Sequence, residues 1–252
     1  MPGSFFRSHA GGMASGVFAS GIAMLALYIA NKNYSSWSLR PWAVLKALGI
    51  PFEERLMVFA DGPNTPVFSQ FSPTAKVPCL HAEGLVVWDS LAIVEFLAER
   101  HAGVWPTDAA ARAWARCAAA EMHSGFATLR NDCSMTVGQR IRMHTMSERL
   151  LADVARIDAL WCEGLQRFGG PFLAGAAFTA VDAFYAPVVF RMRAYGLPLS
   201  PVAAAYVERM LSHPALQEWE AGALAEPWRE AAHEADILVA GEVVADFRAL
   251  PG

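Results

Sequence analysis

The sequence predicts a small α/β domain in the order β-α-β-α-β-β-α, followed by an all-α helical bundle domain. Three observations predict it. Between residues 25 and 100, short apolar runs alternate with segments of helical spacing, separated by Gly, Pro and Asn. From Asp108 onward only helical patterns follow. The 252 residues are 54% hydrophobic and 17% charged, which suffices to bury a sizeable core and is not the composition of a disordered chain.

The first strand is the run Leu25-Ala26-Leu27-Tyr28-Ile29-Ala30. It leads into the hydroxyl-rich turn Asn33-Tyr34-Ser35-Ser36-Trp37-Ser38-Leu39-Arg40 and a helix over 41–48 with Pro41 in its first turn. A missing N–H costs little there, because the first helical donors have no intrahelical partner. Gly49 sits where a C-terminal cap belongs, and Ile50-Pro51 prevents continuation. Residues 52–59 read as a second strand, Asp61-Gly62-Pro63-Asn64 as a turn and 65–71 as a short irregular helix. The apolar runs 77–81 and 85–88 flank Ala82-Glu83-Gly84, a hairpin signal. Residues 90–100 then return to helical spacing. Such an order implies a small mixed sheet with helices against it. Gly103-Val104-Trp105-Pro106 links this unit to helices over 110–130, 147–168, 179–195, 201–211 and 215–225. The third of these opens on Thr179-Ala180-Val181-Asp182, a capping box in which hydroxyl and acid satisfy unpaired N–H groups reciprocally. The expected organisation is an extension over 1–23, a first domain over 24–103 and a second over 108–252.

Composition excludes several function classes. A net charge of −4 without a basic run gives a nucleic acid nothing to bind. The four cysteines, Cys79, Cys117, Cys133 and Cys162, are widely spaced and form no C-x-x-C. That argues against a zinc site, a dithiol or a disulfide scaffold, and for reduced thiols in the cytoplasm. The Gly-, Ala- and Ser-rich start carries no continuous signal-peptide block, since Ser20 and Gly21 interrupt its apolar stretch. That stretch, 17–30, is 14 residues long, too short to span a bilayer. Residues 1–23 are expected to be a flexible extension with Met24 as the starting residue, which the mass of the natively expressed protein tests.

Three strand-to-helix corners carry the candidate chemistry. Ser35, Ser36 and Ser38 precede a helix, where Ser ordinarily caps. The same hydroxyls, beside unpaired N–H donors and the positive end of the helix dipole, can hold a thiolate. Helix N-termini lower thiol pKa values from about 8.5 by a unit or more. In Lys76-Val77-Pro78-Cys79, a proline entering a strand is either a plain strand start or a cis turn. A cis bond would free the Val77 backbone N–H and C=O to pair with a peptide as an added strand. At Asp89-Ser90, Ser90 is positioned to cap the next helix, and the free N–H groups suit a carboxylate while Asp89 suits an ammonium. Cys79 reads as a strand-core residue rather than a nucleophile. In the second domain, His123 and Arg130 on one long helix are candidates to select a polar or anionic acceptor.

Taken together and in order, these motifs resemble the glutathione transferase superfamily over about residues 24–225. The resemblance rests on Ser-Ser-x-Ser after the first strand, Lys-Val-Pro before the third, Asp-Ser opening the third helix, the Trp-Pro linker and the Thr-x-x-Asp box. It implies a thioredoxin-like first domain and glutathione as co-substrate, with no metal and no protein-bound redox cofactor. Ser35 resembles the hydroxyl that stabilises the glutathione thiolate, with Ser36 and Ser38 as further candidates. Val77 resembles the residue whose backbone pairs with the cysteinyl part, with Pro78 cis. Asp89 and Ser90 resemble the γ-glutamyl binders, and Lys76 and Gln70 are candidates for the glycyl carboxylate. The turn is also similar to the Ser-Ser-Cys-Ser-x-Arg turn of the zeta class, the maleylacetoacetate isomerases, with Trp37 in place of cysteine. No tyrosine occupies the position used by the tyrosine-type classes, although Tyr34 is adjacent. The implied function is a homodimeric transferase that conjugates glutathione to a small, mostly hydrophobic electrophile. A glutathione-dependent isomerase and a non-catalytic binding module on the same fold are the alternatives.

Overall fold

The computed structural model describes residues 25–59 and 62–249. The expected extension over 1–23 and Met24 lie outside them, as does Asp61 of the expected turn.

The first domain contains β1 (Leu25–Ile29), α1 (Ser36–Ala47), β2 (Phe52–Leu56), α2 (Thr65–Phe68), β3 (Cys79–Ala82), β4 (Leu85–Trp88) and α3 (Ser90–Ala98). Its sheet runs β2-β1-β3-β4, parallel between β1 and β2 and antiparallel elsewhere, with Leu27 opposite Glu54 and Leu80. Leu27, Ile29 and Leu80 are buried in the core with Trp42 and Ile93 of the two helices. The helix expected over 41–48 begins at Ser36 instead, and Pro41 lies inside it. Pro41 forfeits one i→i−4 bond. Leu39 and Trp42, both fully buried, hold the helix in place around it. β3 begins at Cys79, after Pro78, because proline brings no N–H to the ladder.

The second domain is helical: α4 (Ala109–Ser124), α5 (Ala127–Asp132), α6 (Glu148–Phe168), α7 (Ala180–Tyr195), α8 (Pro201–Leu211), α9 (Pro214–Ala225) and α10 (Ala231–Ala240). The helix expected over 110–130 is split at Gly125 and Phe126. A Cβ at Gly125 would stand 2.7 Å from the Glu121 carbonyl, and Phe126 adopts φ 55°. The structure adds two strands to the helical pattern, β5 (Gln139–Met143) and β6 (Gly241–Asp246), paired antiparallel. The central α7 is buried along nearly its whole length and packs against α1, α4 and α8. Its capping box is formed as expected: Asp182 accepts from the Thr179 N–H at 2.9 Å, and it also accepts from the Leu173 N–H at 3.0 Å and the Tyr206 hydroxyl at 2.9 Å. Full burial raises the Asp182 carboxyl to about 6 against these hydrogen bonds.

Candidate functional site

The site is built around the start of α1. The Asn31 carbonyl accepts from the N–H groups of Tyr34 at 3.1 Å and Ser35 at 2.8 Å, closing the turn that leaves β1. The Asn33 side chain accepts from the N–H groups of Val137 and Gly138, each at 3.0 Å, tying that turn to the second domain. Ser35 is the N-cap but makes no side-chain capping bond; its hydroxyl donates to Ser38 Oγ at 2.7 Å. Among the described residues, the N–H groups of Trp37 and Ser38 have no backbone acceptor. The helix start therefore presents unsatisfied donors beside two hydroxyls, an arrangement that suits an anion.

Ser35 and Ser36 line a cavity of about 420 Å³, whose other walls include Lys76, Val77, Arg130 and Arg191. Ser38 does not line it; fully buried, it accepts from the Ala30 N–H at 3.3 Å as well as from Ser35. A second cavity of about 490 Å³ is lined by Pro78, Asp89 and Ser90 and shares Trp37, Lys76 and Val77 with the first. The two cavities thus adjoin, and between them they collect eight of the eleven residues expected at the site: Ser35, Ser36, Lys76, Val77, Pro78, Asp89, Ser90 and Arg130. The Val77–Pro78 bond is cis. Gln70 is exposed, donates to the Pro66 carbonyl at 3.4 Å and lines neither cavity.

At the far corner the helix cap is Asp89, not Ser90. Its carboxylate accepts from the N–H groups of Leu91 at 2.8 Å and Ala92 at 3.4 Å, and its backbone has φ 74°. The reason is geometric: the cap residue lies outside helical φ/ψ, and Ser90 is already the first helical residue. Ser90 Oγ is buried and has no hydrogen-bond partner among the described residues.

His123 lines neither cavity. It stands at the domain boundary, with Nε2 3.5 Å from Asp89 Oδ2 and its ring 5.3 Å from Trp37, edge to face. Burial lowers its pKa, with Arg40 and Arg130 adding to the effect and Asp89 opposing it. Arg130 places its guanidinium 5.3 Å from the Trp37 ring, and burial lowers its pKa. Cys79 is buried in the strand core, and burial raises its thiol pKa, so it is no nucleophile at neutral pH.

Sequence reasoning missed three residues here. Arg40, 1% exposed, stacks 4.1 Å from the Trp37 centroid, and its Nε has no hydrogen-bond partner among the described residues. Burial, with Arg130 and Arg191 nearby, lowers its pKa to about 9. Arg191 is buried on α7, donates to the Cys133 carbonyl at 2.7 Å and still reaches the first cavity. The third is His233 on α10, also in the first cavity wall. A signal existed for Arg40, which ends the Ser-rich turn; Arg191 sits inside an expected helix and His233 beyond the last one, and no local motif marks either. Among the described residues no group of three or more His, Cys, Asp or Glu could hold a metal ion, and no helix is long and apolar enough to cross a membrane.

Comparison with known proteins gives a consistent result. The family model described as the N-terminal domain of glutathione S-transferase matches residues 34–100, and that described as its C-terminal domain matches 107–222. A probable maleylacetoacetate isomerase of Caenorhabditis elegans is 26% identical over 185 residues, covering 69% of this chain and 82% of that protein. The maleylacetoacetate isomerase of Rattus norvegicus is 27% identical, covering 69% of this chain and 81% of that protein. Among solved structures, a glutathione transferase homolog from Burkholderia gl BGR1, with bound glutathione, superposes with a TM-score of 0.58 at 25% identity. That match covers 77% of this chain and 95% of the other.

Proposed function

We propose, for a chain that belongs to the glutathione S-transferase family, a transferase that holds glutathione as its thiolate and adds it to a small electrophile. The observation that carries this reading is the meeting of two cavities at Trp37, Lys76 and Val77, one reaching the hydroxyls of Ser35 and Ser36, the other the Asp89–Ser90 corner. A tripeptide whose middle residue bears a thiol fits that layout. Its γ-glutamyl ammonium and carboxylate go to Asp89 and Ser90, its cysteinyl backbone to Val77, its glycyl carboxylate to Lys76 and its sulfur to Ser35 or Ser36.

The chemistry follows from the charges. A charge-assisted hydrogen bond contributes about 1.5–3 kcal/mol, or roughly one to two units of thiol pKa. Arg130 and Arg191 in the same wall add attraction for the anion. The thiolate then attacks an electrophilic carbon, forming the S–C bond. The acceptor faces an apolar surface that includes Phe59, Phe68 and Met135, with the two guanidiniums beside it. That combination selects a mostly hydrophobic electrophile bearing a carboxylate.

The thiolate absorbance of bound glutathione, titrated against pH, tests the reading. The wild type should hold the thiol clearly below its free value of about 8.5, and Ser35→Ala should raise it by about one unit. If the shift survives Ser35→Ala and vanishes in Ser36→Ala, the role passes to Ser36. If glutathione does not bind, a non-catalytic binding module is the better reading.

The animal relatives support a second reading, a glutathione-dependent isomerase, in which the thiolate adds, the adduct rotates and the thiolate leaves again. Maleylacetone consumed without loss of glutathione would favour it; a chlorinated aromatic consumed with stoichiometric loss would favour the transferase. A homodimer belongs to either reading, supported by Leu85 and Trp88, exposed on the edge strand β4 at 51% and 45%, and light scattering tests it. The cytoplasm is the proposed location, supported by four free cysteines.

A further inference from the structure

Past residue 222, where the family match ends, the chain continues into α10 and β6 and returns to the thiol end of the first cavity. It is fastened there. Arg248 donates to the Tyr34 hydroxyl at 2.9 Å, to Glu234 at 2.6 Å and to Asp246 at 2.6 Å, and the Tyr34 hydroxyl donates to Glu234 at 2.5 Å. Tyr34 immediately precedes Ser35, so this cluster fixes α10 against the residues that start α1.

From that position α10 brings His233 into the cavity wall that also holds Ser35 and Ser36. The imidazole stacks on Tyr34 at 4.9 Å and on Phe59 at 5.3 Å. Its Nδ1 lies 2.6 Å from Glu230 Oε2, and the same carboxylate accepts from the His233 N–H at 2.8 Å. Capping α10 needs only that N–H and the carboxylate, so it accounts for Glu230 but not for an imidazole at 233. With the ring stacked on Tyr34 and Phe59 and Nδ1 held, Nε2 is left without a hydrogen-bond partner among the described residues. A carboxylate on Nδ1–H fixes the tautomer that leaves a lone pair on Nε2.

We propose that His233 is the proton acceptor for the glutathione thiol and that Glu230 is its positioning residue. This rests on the glutathione reading and adds a base to it. The S–H bond breaks, its electron pair stays on sulfur, and the proton forms an N–H bond at Nε2. The imidazolium is paired with Glu230, and the sulfur anion with the α1 donors. The proton afterwards goes to water, or to the carbanion formed when the thiolate adds to an activated double bond. The charged and titratable groups facing His233 are Glu230 and Glu234 on its own helix, Tyr34 with Arg248 behind it, and Lys76, Arg130 and Arg191 in the cavity wall.

The test separates binding from deprotonation. S-methylglutathione has no thiol proton, so its affinity reports the pocket alone. Rapid mixing with glutathione, followed by thiolate absorbance from acid to neutral pH, reports proton transfer. His233→Gln should bind S-methylglutathione within about twofold of wild type and form thiolate at least ~10-fold more slowly, general bases being worth about 10²–10⁴. It should also lose an ionisation from the pH profile, and Glu230→Gln should keep that ionisation but move it to lower pH. A wild-type rate and profile in His233→Gln overturns the proposal alone. So does a loss of S-methylglutathione binding in that variant together with an unmoved profile in Glu230→Gln. A wild type that binds neither compound overturns the glutathione reading and this proposal with it.

Discussion

Arg40 carries a charge that water does not reach. It lies between the Trp37 ring at 4.1 Å and the Phe184 ring at 5.0 Å, with one contact to His123 Nδ1 at 3.5 Å. Its pKa is lowered to about 9, by burial first and then by Arg130 and Arg191. A lowered pKa in a cation means that the charged form is held at a cost to the folded state. That cost is fully present below about pH 9 and fades as the pH rises toward the unfolded value. Replacing such a charge by an apolar side chain of similar volume is often neutral or stabilising, by roughly 1–4 kcal/mol. Arg40→Met should therefore keep or raise the urea midpoint, while glutathione affinity falls because Trp37, shared by both cavities, loses its support. A lowered midpoint would show that Arg40 is there for stability. Residues of this kind are the least legible in a sequence. Ser35, Val77 and Asp89 could be read because each belongs to a local turn with its own chemistry. Arg40, Arg191 and His233 each meet a neighbour that lies far away along the chain: Arg40 meets His123, 83 positions on, Arg191 meets Cys133, 58 positions back, and His233 meets Tyr34 from the other end of the chain.

At the level of elements, one side chain at the start of α3 both caps the helix and lines a cavity. Asp89 satisfies two N–H groups of the helix, adopts φ 74° and also faces the second cavity. Asn tolerates a left-handed backbone and caps as well as Asp does, but carries no charge. Asp89→Asn should leave stability within about 0.5 kcal/mol and weaken glutathione roughly 10-fold, if the charge holds an ammonium. Asp89→Ala should cost about 1–2 kcal/mol in addition, from the lost cap and the strained φ. Equal affinities for Asp89→Asn and wild type, measured by calorimetry, would place the γ-glutamyl group elsewhere. The capping box of α7 has no such second duty. Asp182→Ala removes the acceptor of four buried donors, the N–H groups of Leu173 and Thr179 and the hydroxyls of Thr179 and Tyr206, and should destabilise by about 3 kcal/mol with binding unchanged in the folded fraction, read from urea unfolding. That box was visible as Thr-x-x-Asp because its bonds are local. The start of α1 was not, because Ser-Ser-Trp-Ser competes for turn hydrogen bonds. Burial of Leu39 and Trp42, a tertiary effect, decides for helix.

At the scale of the whole molecule, the C-terminal segment closes a circuit the sequence pattern did not reveal. Residues 226–249 hold the turn after β1 from several positions: Glu226 accepts from the Lys32 N–H at 2.8 Å, Glu234 accepts from the Tyr34 hydroxyl, and Arg248 donates to it. β6 meanwhile pairs with β5 from the middle of the second domain. Strands 241–246 and 139–143 were missed because each is short and neither can form alone; their pairing spans about a hundred residues, and only folding brings them together. The fastening is electrostatic and therefore pH-dependent. Hydrogen bonds from Arg248 hold Glu234 and Asp246 below their ordinary pKa values, against the burial that would raise them. Lowered carboxylate pKa values mean stability that is present above the unfolded values of about 4 and lost as pH falls through the folded ones. Amide exchange in 231–246 should accordingly speed up on acidification below about pH 4, before exchange in the largely buried α7 does. Arg248→Leu should produce the same local opening at neutral pH. It should also free His233 from the cavity wall it shares with Ser35, so that S-methylglutathione still binds while thiolate forms more slowly. If exchange in 231–246 followed α7 at every pH, the segment would be part of the global fold and no separate closure would exist over the cavity.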